Sequence, residues 1–396
     1  MTTPSPSAAD PADDADRAQR LSESRRGLLL SLRPDGGAFA EWAHDRAAAV
    51  NWDWLLRRAQ QHKLAALLAA RLAACDLDVD VRRRLAAIRL EATQRAAAAE
   101  RTLACLADAF AAPALPFFVV KGSVLAHQIY GDPCLRRFAD VDVVVRQADV
   151  PRAEEALRGL GFRPGGFEAI VAARPTTPAE RRVATRLARR FEARHLGAFS
   201  WCAPAGGEML SVDLHWQLSP TRLPGDEDRL WQQTTPVTVA GMRLLTLTPA
   251  ATVLHLAAHA TTCLLNGFRL LHLADVGWAA RYFADQGKAV WALAEQWGVT
   301  AHLALVFALV EQRLGIEVAM AGGASGRRPA TRRLASEAML VDVPDLATMP
   351  PHQRLGPELR WAVAMGCMRR NVRVSTAAAA ARARFRLDRW RLPRAD

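Results

Sequence analysis

Helical hydrophobic periodicity occupies two stretches of the chain, and a short segment between them has the pattern of strands. Residues 38–112 and 249–314 place Ala, Leu and other apolar residues at helical spacing. Between them, residues 117–120 (FFVV) and 141–145 (VDVVV) are short runs of β-branched and aromatic residues, which is typical of buried strands. The pattern therefore predicts an α+β fold, in which helical regions flank a small mixed sheet.

Turn residues and local charges locate further elements in the central segment and after it. Pro151 followed by two glutamates is a favourable first turn for a helix, because proline lacks the amide hydrogen and acids suit the helix dipole. Two turn sequences, Pro204 to Gly207 and Ala240-Gly241, predict hairpins. The predicted helices cover residues 124–130, 151–159 and 172–194, and the hairpins pair 198–202 with 209–215 and 236–239 with 242–247.

Composition divides the chain into five segments. The first residues are acidic and rich in Ser and Pro, which predicts a disordered leader and not a signal peptide. The last segment is rich in arginine, and it is either a solvated helix or disordered end, or a surface for a membrane, an acidic partner or RNA. The predicted segments are a leader (1–22), an N-terminal helical region (23–112), a core (113–248), a C-terminal helical domain (249–368) and a basic tail (369–396).

The net charge of +12 changes this picture little. Only three of the 52 basic residues are lysines (Lys63, Lys121 and Lys288), and the arginines are spread along the chain, as a GC-rich coding bias would produce. A nucleic-acid-binding protein more often gathers its basic residues in one stripe with interleaved aromatics. The positive charge favours anionic ligands, such as nucleoside triphosphates, without selecting any of them, and a nucleic-acid partner is not favoured.

Cysteine use and hydropathy exclude two further classes of protein. The six cysteines occur singly, without a CxxC pair, so neither a disulfide framework nor a cysteine zinc site is expected. No stretch of 18 uninterrupted apolar residues occurs, which excludes a transmembrane helix. With the leader, these features predict a cytoplasmic protein.

Three aspartates on predicted strands are the strongest candidates for chemistry. Asp140 and Asp142 are two residues apart on one strand, so both project from the same face, opposite Val141 and Val143. Asp213 lies between apolar residues on another strand and shares a face with His215. Neighbouring strands would bring three carboxylates together, which is the arrangement of a two-metal phosphoryl or nucleotidyl-transfer site. Asp213 could instead form a cross-strand ion pair with an arginine.

A Gly-Ser pair precedes the acidic strand. Gly122 and Ser123 fall where a strand becomes a helix, so the helix amides and the Ser hydroxyl could hold the β- and γ-phosphates of a triphosphate. The order Gly-Ser, Asp-x-Asp, Asp resembles the polymerase-β-like nucleotidyltransferase superfamily. More narrowly, the chain resembles a bacterial family of uncharacterised nucleotidyltransferases over about residues 40–315.

The family's motifs carry this resemblance. Its KG…YxDPxxRxxxDIDLLV and DLHW segments are matched by Lys121, Gly122, Tyr130, Asp132, Pro133, Arg136, Asp140, Asp142, Asp213, Leu214, His215 and Trp216. Its flanking helical motifs are matched by Trp54, Leu55, Leu56, Ala59, His62, Pro249, Leu254, His255, Leu256, His259, Arg269, Leu271, Asp275 and Val276. The chain departs from the family in its valine-rich DVDVVV and in having Ser123 where many members have Ala.

The remaining polar residues of the motifs have either a site role or a structural one. Lys121 and Arg136 are either surface charges or ligands of the triphosphate. His215 either orients Asp213, binds substrate or is structural. His255 and His259 are four residues apart, a spacing that zinc ligands can have, but no third ligand is evident, so a structural or acceptor-binding pair is favoured. We expect Asp275 to pair with Arg269 or a histidine, because an unpaired buried carboxylate is costly.

These observations predict a metal-dependent nucleotidyltransferase. Asp140 and Asp142 are expected to bridge two Mg²⁺ ions, or Mn²⁺, and Asp213 to bind the second metal and deprotonate an acceptor hydroxyl. An NTP would donate NMP, with pyrophosphate released, to an acceptor that the sequence does not identify: a small molecule, a sugar, a peptide natural product or a protein. The alternatives are a phosphotransfer or glycosyl-type tailoring enzyme on the same scaffold, and a non-catalytic nucleic-acid-binding module.

Overall fold

A computed structural model describes residues 11–166, 177–195, 197–218, 227–266 and 269–319. Its helices are α1 (Pro11–Leu30), α2 (Gly37–Arg46), α3 (Trp52–Gln61), α4 (Ala65–Arg71), α5 (Val79–Ala111), α6 (Gly122–Gln128), α7 (Val150–Gly159), α8 (Pro178–His195), α9 (Glu227–Gln232), α10 (Pro249–Asn266), α11 (Leu270–Tyr282), α12 (Gly287–Gln296) and α13 (Thr300–Leu309). Its strands are β1 (Phe117–Val120), β2 (Asp140–Val145), β3 (Arg163–Pro164), β4 (Ala198–Cys202), β5 (Ser211–His215), β6 (Thr234–Val239) and β7 (Met242–Leu247). The predicted α+β class is confirmed.

Within the described residues, five strands form one mixed sheet in the order β1-β2-β5-β4-β3. Strand β2 runs parallel to β5, and the other neighbouring pairs are antiparallel. The predicted hairpins are present as β4–β5 and β6–β7. The second hairpin packs on the first strand, where the Thr246 hydroxyl donates to the Val119 carbonyl oxygen at 2.8 Å.

The two faces of the sheet border two different hydrophobic cores. The face that carries Val119, Val143 and Leu214 packs against α5 and α7. The face that carries Phe118 and Val144 packs against the N-terminal helices and α10 to α13. Because Asp140 and Asp142 alternate with Val141 and Val143 along β2, they point to the same face as Val144. This face, which the N-terminal helices and α10 to α13 cover, is called the helical side below. The helical regions before and after the sheet therefore surround the carboxylates.

Helix α1 differs from the predicted disordered leader. Residues 11–22 lie in this helix, and its C-terminal half is anchored by buried Leu28 and by Ser24, whose hydroxyl accepts from the Asn51 amide at 2.9 Å. Residues 16–20 are exposed and mostly polar, as in a disordered segment, but helix formation propagates into them from the buried half. An exposed Arg20–Asp16 ion pair, four residues apart, adds to their support.

Parts of the predicted elements and segments lie outside the described residues. Helix α8 begins at Pro178, and residues 172–176 of the predicted helix lie outside the described part, as do the C-terminal domain beyond 319 and the basic tail. Among the cysteines, Cys75, Cys105, Cys134 and Cys202 carry free thiols. None of the helices in the described ranges is both long and apolar enough to cross a membrane.

Candidate active site

The three predicted carboxylates converge on one face of the sheet. In the parallel pairing of β2 with β5, Asp142 lies opposite Asp213, and Asp140 lies opposite Ser211. Asp142 is buried, with 5% of its surface exposed, whereas Asp140 and Asp213 are half-buried. The predicted juxtaposition is therefore present in the fold, although the catalytic roles of these residues stay predictions.

Asp142 is the most tightly held of the three acids. Its Oδ1 atom lies 2.7 Å from the Lys121 ammonium and 2.9 Å from His215 Nε2. Burial alone would raise the pKa of Asp142, but Lys121 and His215 outweigh it and hold that pKa well below its usual range. Burial opposes the charge of Lys121 as well, and Asp142 outweighs it and raises the lysine's pKa. Asp142 is therefore ionised at neutral pH.

Asp140 has the opposite electrostatic environment. Burial raises the pKa of Asp140 to about 6, and the neighbouring charges of Asp142 and Asp213 add to this effect. Lys63 and Lys121 act against it without cancelling it. Burial and two like charges thus oppose the ionisation of Asp140, and a bound cation would favour it.

A hydroxyl from the neighbouring strand positions Asp213. Ser200 lies opposite Asp213 in the antiparallel pairing of β4 with β5, and its Oγ donates to Asp213 Oδ1 at 2.7 Å. This hydrogen bond holds one oxygen of Asp213 and so restricts the orientation of its carboxylate.

Asp142, Asp213 and His215 can together hold a metal ion. One ligand atom from each lies within 4.8 Å of the others, and this is the one group of at least three such ligands within the described residues. His215 Nδ1 is buried and has no hydrogen-bond partner in the described part of the chain. Carboxylate oxygens suit Mg²⁺ and Mn²⁺, and an imidazole is a common ligand of Mn²⁺ and other transition metals. The predicted ligand set of Asp140, Asp142 and Asp213 differs from this group, in which His215 takes the place of Asp140.

The junction between β1 and α6 brings Lys121 to Asp142. Lys121 has φ 54° and ψ −122°, a left-handed conformation that is unfavourable for a residue with a side chain. Glycine suits the next position, 122, because a Cβ on Gly122 would lie 3.1 Å from the Phe138 side chain. Ser123 is buried, and its hydroxyl has no hydrogen-bond partner among the described residues. Phosphate binding by Lys121, Gly122 and Ser123 stays a prediction.

Arg136 and Asp275 form a buried ion pair that the sequence analysis did not predict. Arg136 donates from Nε and Nη2 to the two oxygens of Asp275 at 2.8 and 2.7 Å, and the Tyr130 hydroxyl donates to Asp275 Oδ1 at 3.0 Å. The expectation that Asp275 pairs with Arg269 or a histidine is therefore wrong, because the loop before β2 brings Arg136 against α11. Two guanidinium nitrogens of Arg136 are thus engaged, and its predicted nucleotide-binding role is not supported by this contact.

Three histidines of the helical side form a neutral group near the carboxylates. The ring centroids of His255 and His259 are 6.3 Å apart, and those of His259 and His272 are 5.1 Å apart. Burial lowers the pKa of His255 and of His272 to about 3 and that of His259 well below its usual value, and Lys121 contributes to each shift. They do not belong to the metal-binding group of the described residues, so zinc is not supported, and their substrate-binding role stays a prediction.

Three residues of the site are absent from the set predicted from the sequence. Lys63 follows α3, and it interacts electrostatically with Asp140 and Asp142; burial lowers its pKa. Its signal was present, since lysine is rare in this chain. Ser200 would follow from the β4–β5 register, which the hairpin turn alone does not determine. His272 has no sequence signal beyond its residue type.

Comparison with known proteins gives the family. A family model described as "Uncharacterised nucleotidyltransferase" matches residues 48–315, which is more than half of the chain. This match covers α3, the whole sheet and the helices that follow it. No curated protein and no solved structure matches the chain. The chain belongs to this family of uncharacterised nucleotidyltransferases.

Proposed function

We propose that the protein is a metal-dependent nucleotidyltransferase of the polymerase-β-like type, which transfers NMP from an NTP to an acceptor hydroxyl and releases pyrophosphate. The observation that carries the proposal is the convergence of Asp140, Asp142 and Asp213 on one face of two adjacent parallel strands. Family membership supports the reaction class. The acceptor is a small molecule, a sugar, a peptide or a protein.

The donor set fits a divalent cation. Asp142, Asp213 and His215 would hold it. Burial, with the neighbouring charges of Asp142 and Asp213, raises the pKa of Asp140, and a bound cation would oppose this effect. When bound, Mg²⁺ or Mn²⁺ neutralises phosphate charge and makes the acceptor hydroxyl more acidic. A second ion, for which Asp140 would supply a carboxylate oxygen, belongs to the same proposal.

The side chains of the site would position the reactants and accept one proton. Asp213, held through one oxygen by Ser200, would accept the proton of the acceptor hydroxyl at its other oxygen. The acceptor oxygen forms a bond to the α-phosphorus as the bond from that phosphorus to the β-phosphate oxygen breaks. Pyrophosphate leaves with the electron pair, and Lys121 would neutralise its charge. His255 and His259 would contact the acceptor or the nucleoside from the helical side.

Pyrophosphate release with product mass tests the proposal. The protein is incubated with each of ATP, GTP, CTP and UTP, with Mg²⁺ or Mn²⁺, and with pools of sugars, peptides and protein acceptors, itself included. We expect metal-dependent pyrophosphate release from one or more NTPs and a product heavier by one NMP.

A matched pair of variants controls for the loss of two acidic side chains. The Asp140→Asn/Asp142→Asn protein should lose roughly a hundredfold or more in rate, because charge stabilisation at the transferring phosphate is removed. The control Asp76→Asn/Asp285→Asn changes two exposed acids outside the site and should retain wild-type activity. A product heavier by phosphate or hexose, or activity retained without Asp140 and Asp142, would contradict the proposal.

A further inference from the structure

Two of the three lysines in this arginine-rich chain face the candidate active site. Lys121 contacts Asp142 at 2.7 Å, and Lys63 interacts electrostatically with Asp140 and Asp142. Lys288 lies exposed on α12. Wherever else the chain carries a strong base, it uses arginine. At these two positions a lysine supplies a compact ammonium, which binds as a point charge, in place of a planar guanidinium.

Lys63 occupies a backbone position that favours glycine. The amide of Lys63 donates to the Gln60 carbonyl oxygen at 3.0 Å, and the amide of Leu64 donates to the Ala59 carbonyl oxygen at 2.7 Å. This pair of bonds is the Schellman motif at the end of α3, and Lys63 has φ 59° at its left-handed residue. Glycine would adopt this conformation without strain. Strained residues are enriched at functional sites, and Lys63 and Lys121 are both of this kind.

The neighbouring residues fix Lys63 beside a second cation. His62 is fully buried, and its Nδ1 accepts from the Leu270 amide at 3.3 Å, which joins the end of α3 to the start of α11. Arg269, the residue before Leu270, lies within electrostatic range of Lys63. The N-terminal and C-terminal helical regions thus bring two positive charges within electrostatic range of each other, and one of them, Lys63, interacts with Asp140.

The charges of Lys63 and Arg269 favour an anion when a divalent cation occupies the site. Asp140 balances Lys63 in the present arrangement. A divalent cation that takes the Asp140 carboxylate would leave Lys63 without this counter-charge, and the like charge of Arg269 acts on the same ammonium. Two like charges close together in a half-buried site are unfavourable. A triphosphate supplies the missing negative charge, and a lysine ammonium binds phosphate oxygens as a point charge.

We propose that Lys63 is a phosphate-binding residue of the nucleotide site, which contacts the triphosphate from the N-terminal helical region while Lys121 contacts it from the sheet. This inference rests on the proposed function, because it needs a triphosphate as ligand. It makes the N-terminal helices part of the active site, and it assigns them a role in holding the donor.

Inorganic tripolyphosphate with Mn²⁺ is the probe, because its binding does not depend on the unidentified base. Calorimetry is carried out on the full chain for wild type, Lys63→Asn, Lys63→Gly and the exposed control Lys288→Asn, with Tm measured for each. Asparagine tolerates the left-handed conformation, and glycine relieves its strain, so neither change should unfold the helix end. We expect about tenfold weaker binding or more for both Lys63 variants, wild-type binding for Lys288→Asn, and a Tm of Lys63→Gly at or above that of wild type.

Two results would overturn the inference. Tripolyphosphate affinities of the Lys63 variants within about twofold of wild type would show that the ammonium does not bind phosphate. A lowered Tm in Lys63→Gly would show that the lysine is a structural anchor. If wild type itself binds neither tripolyphosphate nor any NTP, the proposed function fails together with this inference; if wild type binds and the Lys63 variants bind equally, only this inference fails.

Discussion

Replacing Arg136 by methionine should destabilise the protein strongly and should not act through nucleotide binding. The change removes a guanidinium that is 6% exposed and leaves the Asp275 carboxylate, 3% exposed, without its two charge-assisted hydrogen bonds. Breaking a buried pair by removing one partner costs about 3–5 kcal/mol, since the remaining charge is buried without compensation. The bond from Tyr130 to Asp275 offsets only a small part of this cost.

The cost should be recovered when the whole network becomes apolar. In Arg136→Met/Asp275→Leu/Tyr130→Phe no charge remains in this buried network, and apolar replacement of a buried ion pair is often neutral or stabilising. Urea unfolding gives the free energy of unfolding of each protein, and calorimetry with Mg²⁺ and NTP gives the affinity of the triple variant. We expect the single variant to lose about 3–5 kcal/mol and the triple variant to regain most of it, with wild-type affinity for NTP.

Either of two results would refute this reasoning. A single variant as stable as wild type would show that the ion pair does not hold the loop before β2 against α11. A stable triple variant with about tenfold weaker NTP binding would show that Arg136 contacts phosphate, as the sequence motif predicts.

Two further predictions concern the carboxylates. Folding raises the pKa of Asp140 from 3.8 to about 6, so the ionisation of Asp140 costs stability above pH 6 and costs nothing below pH 3.8. Asp140→Asn should therefore be up to about 3 kcal/mol more stable than wild type in urea unfolding at pH 7.5 with chelator. A gain in stability that does not shrink as the pH falls toward 4 would contradict this origin. Ser200→Ala removes the hydroxyl that holds Asp213 and should weaken Mn²⁺ binding by about tenfold in a calorimetric titration. The exposed control Ser22→Ala should bind Mn²⁺ as wild type does. Unchanged affinity in Ser200→Ala would show that Ser200 does not orient the Asp213 carboxylate.

The local features of the core could be predicted from the sequence because they depend on near neighbours. The period of two along β2 determines that Asp140 and Asp142 share a face, and the turn residues between β4 and β5 determine the hairpin. These rules, with the order of the motif residues, were sufficient to identify the carboxylates and the α+β class.

Long-range pairings were less predictable. Nothing local in the sequence specifies that Arg136 pairs with Asp275, 139 residues away, or that the end of α3 reaches Asp140. These contacts follow from how the helical regions pack on the sheet. The helical part of the predicted leader was missed for a related reason, since the burial of Leu28 stabilises a helix whose first turns are polar.

Metal-dependent nucleotide binding is the most direct test of the central claim, that the converging aspartates hold a metal-bound triphosphate. Each of the four NTPs is titrated calorimetrically into wild type, Asp140→Asn/Asp142→Asn and the control Asp76→Asn/Asp285→Asn, with Mg²⁺, with Mn²⁺ and with chelator. We expect micromolar binding of at least one NTP to wild type and control, lost both with chelator and in the Asp140/Asp142 variant. Binding of equal strength without metal or without these aspartates would contradict this claim, as would a folded wild type that binds no NTP.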